Sequence, residues 1–193
     1  MVNYREDERD TEQFKKDILQ GSAWEAYIIL CYAEYMFRSG KPFPTIEPNG
    51  VDVTGEYIEK DNDINHEPDF KINGTKVEVA RSHKKCVRVF HEKISKTNRI
   101  IKENAYYLFA NGIDNPKHTF ILISPEELIQ LKEMSIEKYG IVKMPGRGGG
   151  TCGKDAFRFS ISWCPKEITL PSYNEANITE DNKWLLDIAQ KRF

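Results

Sequence analysis

Apolar and polar residues alternate on both sides of Asn73-Gly74 in the amino-acid sequence. This pattern predicts a β-hairpin, because a type I′ turn needs positive φ at both central residues and Asn and Gly tolerate it. A two-residue turn also fixes the register, which pairs Asp69 with Glu78. The apolar face then holds Phe70, Ile72, Val77 and Val79, and the polar face holds Asp69, Lys71, Lys76 and Glu78.

Hydrophobic periodicity and end signals predict the other elements. Gly21 is expected to interrupt an N-terminal helical region, and Ser124 followed by Pro125 is typical of a helix start. Helices are predicted over residues 9–20, 23–38, 87–103, 125–139 and 180–191, and strands over 51–58, 105–110, 118–123 and 156–163.

This order of elements predicts an α/β fold with a mixed central β-sheet flanked by helices. At 193 residues we expect one domain over 1–193, with its core over about 22–163 and the helices over 9–20 and 180–191 as additions. There is no apolar run of about eighteen residues, so no membrane partner is expected. The first ten residues are too acidic and polar for a signal peptide, which predicts a cytoplasmic location.

Basic residues concentrate in one segment although the formal net charge is -2. Between Arg81 and Lys102, Glu92 is the single acid among many lysines and arginines. A local patch of this kind can bind the phosphate backbone in a sequence-independent and salt-sensitive way. Any nucleic-acid surface is therefore expected in this segment.

The predicted register sets the carboxylates of Asp69 and Glu78 directly opposite, roughly 5 Å apart at Cβ. Facing like charges destabilise a sheet unless positive charge lies beside them. A divalent cation is one solution, since Mg²⁺ takes one or two carboxylates together with phosphate and water. The other is a solvated network in which Lys76 lies diagonal to Asp69 and Lys71 lies diagonal to Glu78. The sequence leaves both interpretations open.

Glu25 also has two interpretations. Ser22-Ala-Trp-Glu25 fits the S-x-x-E capping box at the start of the helix over 23–38, where the glutamate reaches back to a backbone N–H. A catalytic or metal-supporting role is the alternative, and the two roles do not exclude each other.

These residues and the order of elements resemble the PD-(D/E)XK nuclease superfamily, which includes many restriction and repair endonucleases. Pro68-Asp69 corresponds to the first acid of the motif, and Glu78-Val79-Ala80 corresponds to its acid-x-lysine segment. Glu25 takes the first-helix position. The resemblance covers roughly residues 22–123, more than half of the chain.

The resemblance implies a restriction-endonuclease-like core and a Mg²⁺- or Mn²⁺-dependent endonuclease that hydrolyses DNA phosphodiester bonds, with restriction as one such role. Asp69, Glu78 and the carbonyl of Val79 would be the metal ligands, and Glu25 would hold a water. Duplex DNA is the implied substrate. A homodimer is also implied, because cutting both strands commonly requires two active sites.

Ala80 stands where the superfamily has its lysine, so a lysine from elsewhere must take that place in an active enzyme. Candidates at the strand-helix junction and on the next helix are Lys84, Lys85, Lys93 and Lys96, while Lys71 and Lys76 compete from the polar face. The first acid has an alternative as well. Gly50-Val51-Asp52 resembles the Gly-x-Asp of some relatives, but Asp69 is preferred for its neighbour Pro68 and its register.

The candidates for contacting the DNA backbone are Lys71, Lys76, Arg81, Arg88, Lys96 and Arg147. Ala80 also supports a rival hypothesis, a catalytically inactive member of the fold that binds DNA or protein. A third hypothesis is an unrelated α/β protein-interaction domain with a charged surface hairpin. An inactive binder would bind DNA equally well with and without Mg²⁺. An unrelated domain would have no affinity for DNA or for metal.

Overall fold

A computed structural model of the chain describes residues 11–49, 68–82, 86–115, 118–145 and 151–192. The chain divides into two units, Met1–Gly74 with Pro171–Phe193, and Thr75–Leu170. Four α-helices and a mixed β-sheet occur among the described residues, which confirms the α/β class. The expectation of one domain over 1–193 stays a prediction.

The first unit contains one long helix, α1 (Thr11–Arg38). The helix is continuous, so the predicted interruption at Gly21 is wrong. A glycine inside a helix costs only about 1 kcal/mol relative to alanine, and burial of the apolar side chains of α1 offsets this cost. The fully buried apolar residues of α1 include Ala23, Ala26, Ile28, Ile29, Leu30 and Ala33.

Two short antiparallel strands also belong to the first unit, β1 (Ile46–Pro48) and β2 (Phe70–Ile72). Asn73 and Gly74 follow β2 with φ of 49° and 81°, the positive values that the predicted turn requires. Near the C-terminus, α4 (Lys183–Ala189) lies between two 3₁₀ turns and packs on α1, in agreement with the predicted closing helix.

The second unit contains the mixed sheet. Strand β3 (Thr75–Arg81) pairs in parallel with β5 (Tyr106–Asn111), and β5 pairs antiparallel with β6 (Thr119–Ile123). The short strand β9 (Ile168–Thr169) extends the sheet beside β6. The strands predicted over 105–110 and 118–123 are confirmed, while the strand predicted over 51–58 lies outside the described residues.

A second, antiparallel sheet in this unit consists of β4 (Val89–Lys93), β7 (Val142–Pro145) and β8 (Thr151–Ser160). Strand β8 lies between β4 and β7. The strand predicted over 156–163 therefore begins earlier, and its last three residues, Ile161–Trp163, form a 3₁₀ turn. Strand β7 was not predicted.

The helix predicted over 87–103 is wrong in its first half, because Val89–Lys93 is strand β4 and the helix α2 begins at Ile94 and ends at Lys102. Tertiary packing explains the difference. The ring of Phe90 stacks on Phe109 and meets Phe159 across the β4-β8 ladder. These contacts require the alternating, pleated backbone of a strand.

Helix α3 (Pro125–Tyr139) begins as predicted. The Ser124 hydroxyl accepts a hydrogen bond from the Glu127 backbone N–H, and the Glu127 carboxylate accepts one from the Ser124 N–H. Helices α2 and α3 and strands of both sheets contribute to one core in the second unit, which includes Ile100, Tyr107, Ile121, Leu128 and Phe157. Within the described ranges, no helix is long and apolar enough to cross a membrane.

Candidate active site

Glu78 lies on β3 and is only 4% exposed to solvent. Its neighbours Val77 and Val79 are buried as well, so β3 is covered on both faces at this point. In the register with β5, Glu78 lies beside Tyr107. The interpretation of Glu78 as part of a solvated surface network is therefore wrong.

Two cations from α2 contact one oxygen of the Glu78 carboxylate. Arg99 Nη2 donates to Oε1 at 2.9 Å, and Lys96 Nζ lies 3.1 Å from the same atom. These two residues are one turn apart on α2, so they share a helix face. The other carboxylate oxygen, Oε2, is buried without a hydrogen-bond partner in the described structure, as is Arg99 Nε.

A second buried carboxylate, Glu92 of β4, shares Lys96 with Glu78. Lys96 Nζ lies 3.8 Å from Glu92 Oε2, and the Tyr107 hydroxyl donates to that oxygen at 2.6 Å. Glu92 Oε1 accepts a hydrogen bond from the backbone N–H of Lys93 at 2.9 Å. Lys96 Nζ also lies 5.6 Å from the centre of the Tyr107 ring. We name these five residues, Glu78, Glu92, Lys96, Arg99 and Tyr107, the Glu78 cluster.

The Glu78 cluster contains two carboxylates and two cations. Buried ions cost several kcal/mol each to desolvate unless they are paired, and removing one partner of such a pair costs about 3–5 kcal/mol. Lys96 is the shared partner, because its single ammonium group interacts with both carboxylates. Its position therefore depends on Glu78 and Glu92 together.

Sequence reasoning missed Glu92, Arg99 and Tyr107 as members of the site. A signal for Glu92 was present, since it is the lone acid in a basic segment and lies two residues from Phe90 on the same strand face. The incorrect prediction of a helix over 87–103 concealed this signal, because a helix lacks the period-two alternation that turns Glu92 inward. No sequence signal pairs Tyr107 with Glu92, because that contact depends on how β4 and β5 approach each other.

Among the predicted metal ligands, Asp69 precedes β2 in the first unit and is partly buried, and its carbonyl accepts the Asn49 N–H at 3.0 Å. The pairing of Asp69 with Glu78 stays a prediction, as does a metal contact of the Val79 carbonyl. Glu25 lies in the middle of α1, and Ser22 is helical too. The predicted capping box is therefore wrong, because a cap must precede the first helical residue.

The predicted lysines have different surroundings. Lys96 joins the Glu78 cluster, while Lys93 lies at the junction of β4 and α2, where its carbonyl accepts the Thr97 hydroxyl at 3.1 Å. Lys76 forms an ion pair with Glu103 at 2.6 Å, and Lys71 lies opposite Glu47 in the β1-β2 pair. Arg81 ends β3, and Arg88 is exposed just before β4. Lys84, Lys85, Arg147 and Asp52 lie outside the described residues.

One atom of the Glu78 cluster has the chemistry of a magnesium ligand. A buried carboxylate oxygen without a hydrogen-bond partner, Glu78 Oε2, is a hard ligand of the kind that Mg²⁺ takes. In the part of the chain that is described, no three His, Cys, Asp or Glu side chains come together around one point. Further ligands would have to be backbone carbonyls, substrate phosphate or water, which Mg²⁺ commonly uses.

The chain matches no protein-family model, no curated protein and no solved structure in comparisons with known proteins.

Proposed function

We propose that this chain is a Mg²⁺- or Mn²⁺-dependent endonuclease that hydrolyses DNA phosphodiester bonds. The observation that carries the proposal is the pair formed by Glu78 and Lys96, with 3.1 Å between Oε1 and Nζ. Ala80, two residues beyond Glu78 on β3, leaves the strand without the lysine of the acid-x-lysine motif. Lys96 of α2 supplies an ammonium group beside the same carboxylate.

Glu78 Oε2, together with the Val79 carbonyl of the sequence prediction, would hold the metal ion. Such an ion lowers the pKa of a bound water and neutralises charge that develops on the phosphate. Arg99 and Lys96 engage Oε1 and so leave Oε2 as the oxygen for the ion. Lys96 orients the attacking water and stabilises negative charge on it.

Glu92 and Tyr107 act as positioning residues for Lys96. The Tyr107 hydroxyl fixes Glu92 Oε2 at 2.6 Å, and that oxygen lies 3.8 Å from the Lys96 ammonium. The role of Lys96 in this proposal is electrostatic.

One observation favours the rival hypothesis of an inactive DNA-binding module. The two cations of the Glu78 cluster balance its two carboxylates, so the cluster is formally neutral. A neutral cluster attracts a divalent ion less than an acidic one does. The two hypotheses differ in one measurable outcome, which is whether Mg²⁺ produces cleavage or leaves binding unchanged.

Plasmid cleavage at low salt with Mg²⁺ or Mn²⁺, against an EDTA control, tests the proposal. We expect metal-dependent nicking or linearisation that is lost in Glu78→Gln, Lys96→Met and Asp69→Ala. The matched control is Lys183→Met, which removes an exposed lysine that forms an ion pair with exposed Glu180. Circular dichroism of each variant separates lost chemistry from lost folding.

Metal-independent DNA binding without any cleavage by the wild-type chain would exclude the nuclease and favour the inactive binder. Cleavage that survives Lys96→Met in a folded protein would remove Lys96 from the mechanism. Absence of both binding and cleavage would favour the unrelated interaction domain.

A further inference from the structure

A cavity of about 420 Å³ opens beside the residue that precedes β4 and the 3₁₀ turn that follows β8. Two cations, Arg88 and Lys166, and two hydroxyl groups, of Ser160 and Ser162, line it. A volume of this order is typical of small-ligand sites. The cavity lies wholly in the second unit, at the other end of β4 from Glu92.

The two cations have no carboxylate partner within the described ranges, since neither Arg88 nor Lys166 forms an ion pair there. Glu167 also lines the cavity, but its Oε1 accepts hydrogen bonds from Thr119 Oγ1 at 3.1 Å and Asn111 Nδ2 at 3.3 Å. Those contacts hold the carboxylate toward β5 and β6. The lining therefore has an excess of positive charge with unused donors.

Local hydrogen bonds fix the wall of the cavity. The Ile161 N–H donates to the Arg88 carbonyl at 2.9 Å, which ties the backbone of Arg88 to the 3₁₀ turn. The Ser160 and Ser162 hydroxyl oxygens are 2.8 Å apart, and the Ser162 N–H donates to Ser160 Oγ at 3.3 Å. In this pair one hydroxyl donates its proton to the oxygen of the other, so the proton of the second hydroxyl can be donated to a ligand.

Cys164 adds no negative charge to the lining. Burial, with smaller contributions from the charges of Glu167 and Glu127, raises the pKa of its thiol to about 12. The thiol is neutral at physiological pH. The cavity thus offers cations and hydroxyl donors together with a neutral thiol.

We propose that this cavity binds a phosphate group of a nucleic-acid strand. The Arg88 guanidinium can contact two phosphate oxygens at once, Lys166 supplies a second charge, and the serine pair donates to a third oxygen. The inference rests on the proposed function and deepens it, because it names a second contact of the same substrate. Either an internal phosphodiester or a terminal phosphomonoester provides this chemistry.

Oligonucleotide binding by fluorescence anisotropy, in EDTA so that no cleavage occurs, tests the site. The probes are one labelled duplex with a 5′-phosphate and the same duplex without it. The variant is Arg88→Ala with Lys166→Ala, and the matched control is Lys143→Ala with Lys183→Ala, which removes the same charge from exposed positions. We expect about a tenfold loss of affinity in the variant. The slope of log affinity against log salt concentration should be smaller in magnitude by about 0.9 for each phosphate contact that is lost.

A difference between the two probes that disappears in the variant assigns the cavity to the terminal phosphate, and equal losses on both probes assign it to an internal phosphate. Equal affinities of the variant and its charge-matched control would overturn the proposal.

Inorganic phosphate provides a readout that does not depend on DNA. At equal ionic strength, phosphate should raise the melting temperature of the wild type above its value in chloride, and this rise should be absent in the variant. An equal rise in both proteins would also overturn the proposal. A phosphate-specific rise in melting temperature without plasmid cleavage would support phosphate binding in the cavity and exclude the nuclease. Failure of the proposed function can therefore be distinguished from failure of the phosphate site.

Discussion

Tyr107 contributes one hydroxyl group to the Glu78 cluster, and that group can be removed without a change of shape. We expect Tyr107→Phe to lower the free energy of unfolding by about 1–3 kcal/mol, because Glu92 Oε2 loses a buried donor. Urea denaturation checks this. The matched control is Tyr106→Phe on the same strand, whose side chain points to the other face. A midpoint equal to that of Tyr106→Phe would contradict the role of Tyr107.

His91 makes the stability depend on pH in a defined window. Desolvation and, to a smaller extent, the nearby charge of Arg158 lower its pKa below the ordinary value of 6.5. Between the lowered folded pKa and 6.5 the unfolded chain binds more protons, so stability rises with pH across this window and is lost as pH falls through it. Unfolding free energies measured from pH 7 down to 5 should fall less steeply in His91→Gln. Equal slopes in both proteins would exclude His91 as the cause.

Gly112 is closely surrounded. It has a φ of 69°, and a Cβ built there would lie 2.8 Å from Cys86 Sγ and 3.0 Å from the Cys86 backbone nitrogen. Gly153 has a similar φ of 72° with open space around it. Gly112→Ala should therefore cost more stability than Gly153→Ala, by about 1–3 kcal/mol for the overpacking. Equal decreases in melting temperature in the two variants would mean that backbone strain at positive φ alone sets the cost at both positions.

At the scale of elements, Glu34 ties helix α1 to the segment that precedes α4. Its buried carboxylate accepts hydrogen bonds from Arg38 Nε at 2.7 Å, the Asn174 N–H at 3.3 Å and Asn177 Nδ2 at 3.0 Å. Burial raises its pKa, but these donors and the Arg38 charge lower it, with a net decrease from 4.5. The stabilisation is therefore present above pH 4.5 and is lost as pH falls below it.

Glu34→Ala should leave the Asn177 amide without its acceptor and lower the free energy of unfolding by about 1–3 kcal/mol. Faster amide hydrogen exchange at Asn174 is expected, because its N–H donates to the missing carboxylate. Glu175→Ala, an exposed change in the same segment, is the control. Unchanged exchange at Asn174 in the Glu34 variant would show that the segment is held by other contacts.

Sequence patterns predicted the elements that local signals determine. Ser124, Pro125 and Glu127 specify the start of α3 within four residues, and positive φ at Asn73 and Gly74 follows from their own chemistry. The β4-α2 boundary could not be predicted in this way. Val89–Lys93 is a strand because Phe90 packs on distant rings, and that contact is invisible to a local period.

The sequence likewise identified only some members of the candidate site. Glu78 and Lys96 were both named from the sequence, but their contact requires side chains of α2 to reach β3, which no spacing reveals. Tyr107 and Arg99 enter the cluster only through packing between elements. The partner predicted for Glu78, Asp69, rests on the hairpin register alone.

At the scale of the whole molecule, the net charge of -2 gives no general attraction to DNA, so the proposed binding would depend on local cations. We expect the affinity for duplex DNA to fall at least tenfold between about 50 mM and 200 mM salt, as two or more phosphate contacts require. Sucrose at equal osmolality is the control. An affinity independent of salt would contradict phosphate contact as the main interaction.

All five members of the Glu78 cluster belong to residues 78–107, four successive elements of the chain. Contacts of short sequence separation form quickly, since little chain entropy is lost in closing the loops between them. During synthesis the acids, the cations and the tyrosine can meet before α3 and β8 have left the ribosome. The charges of the Glu78 cluster are then neutralised in pairs early, and the later strands enclose an arrangement that already exists.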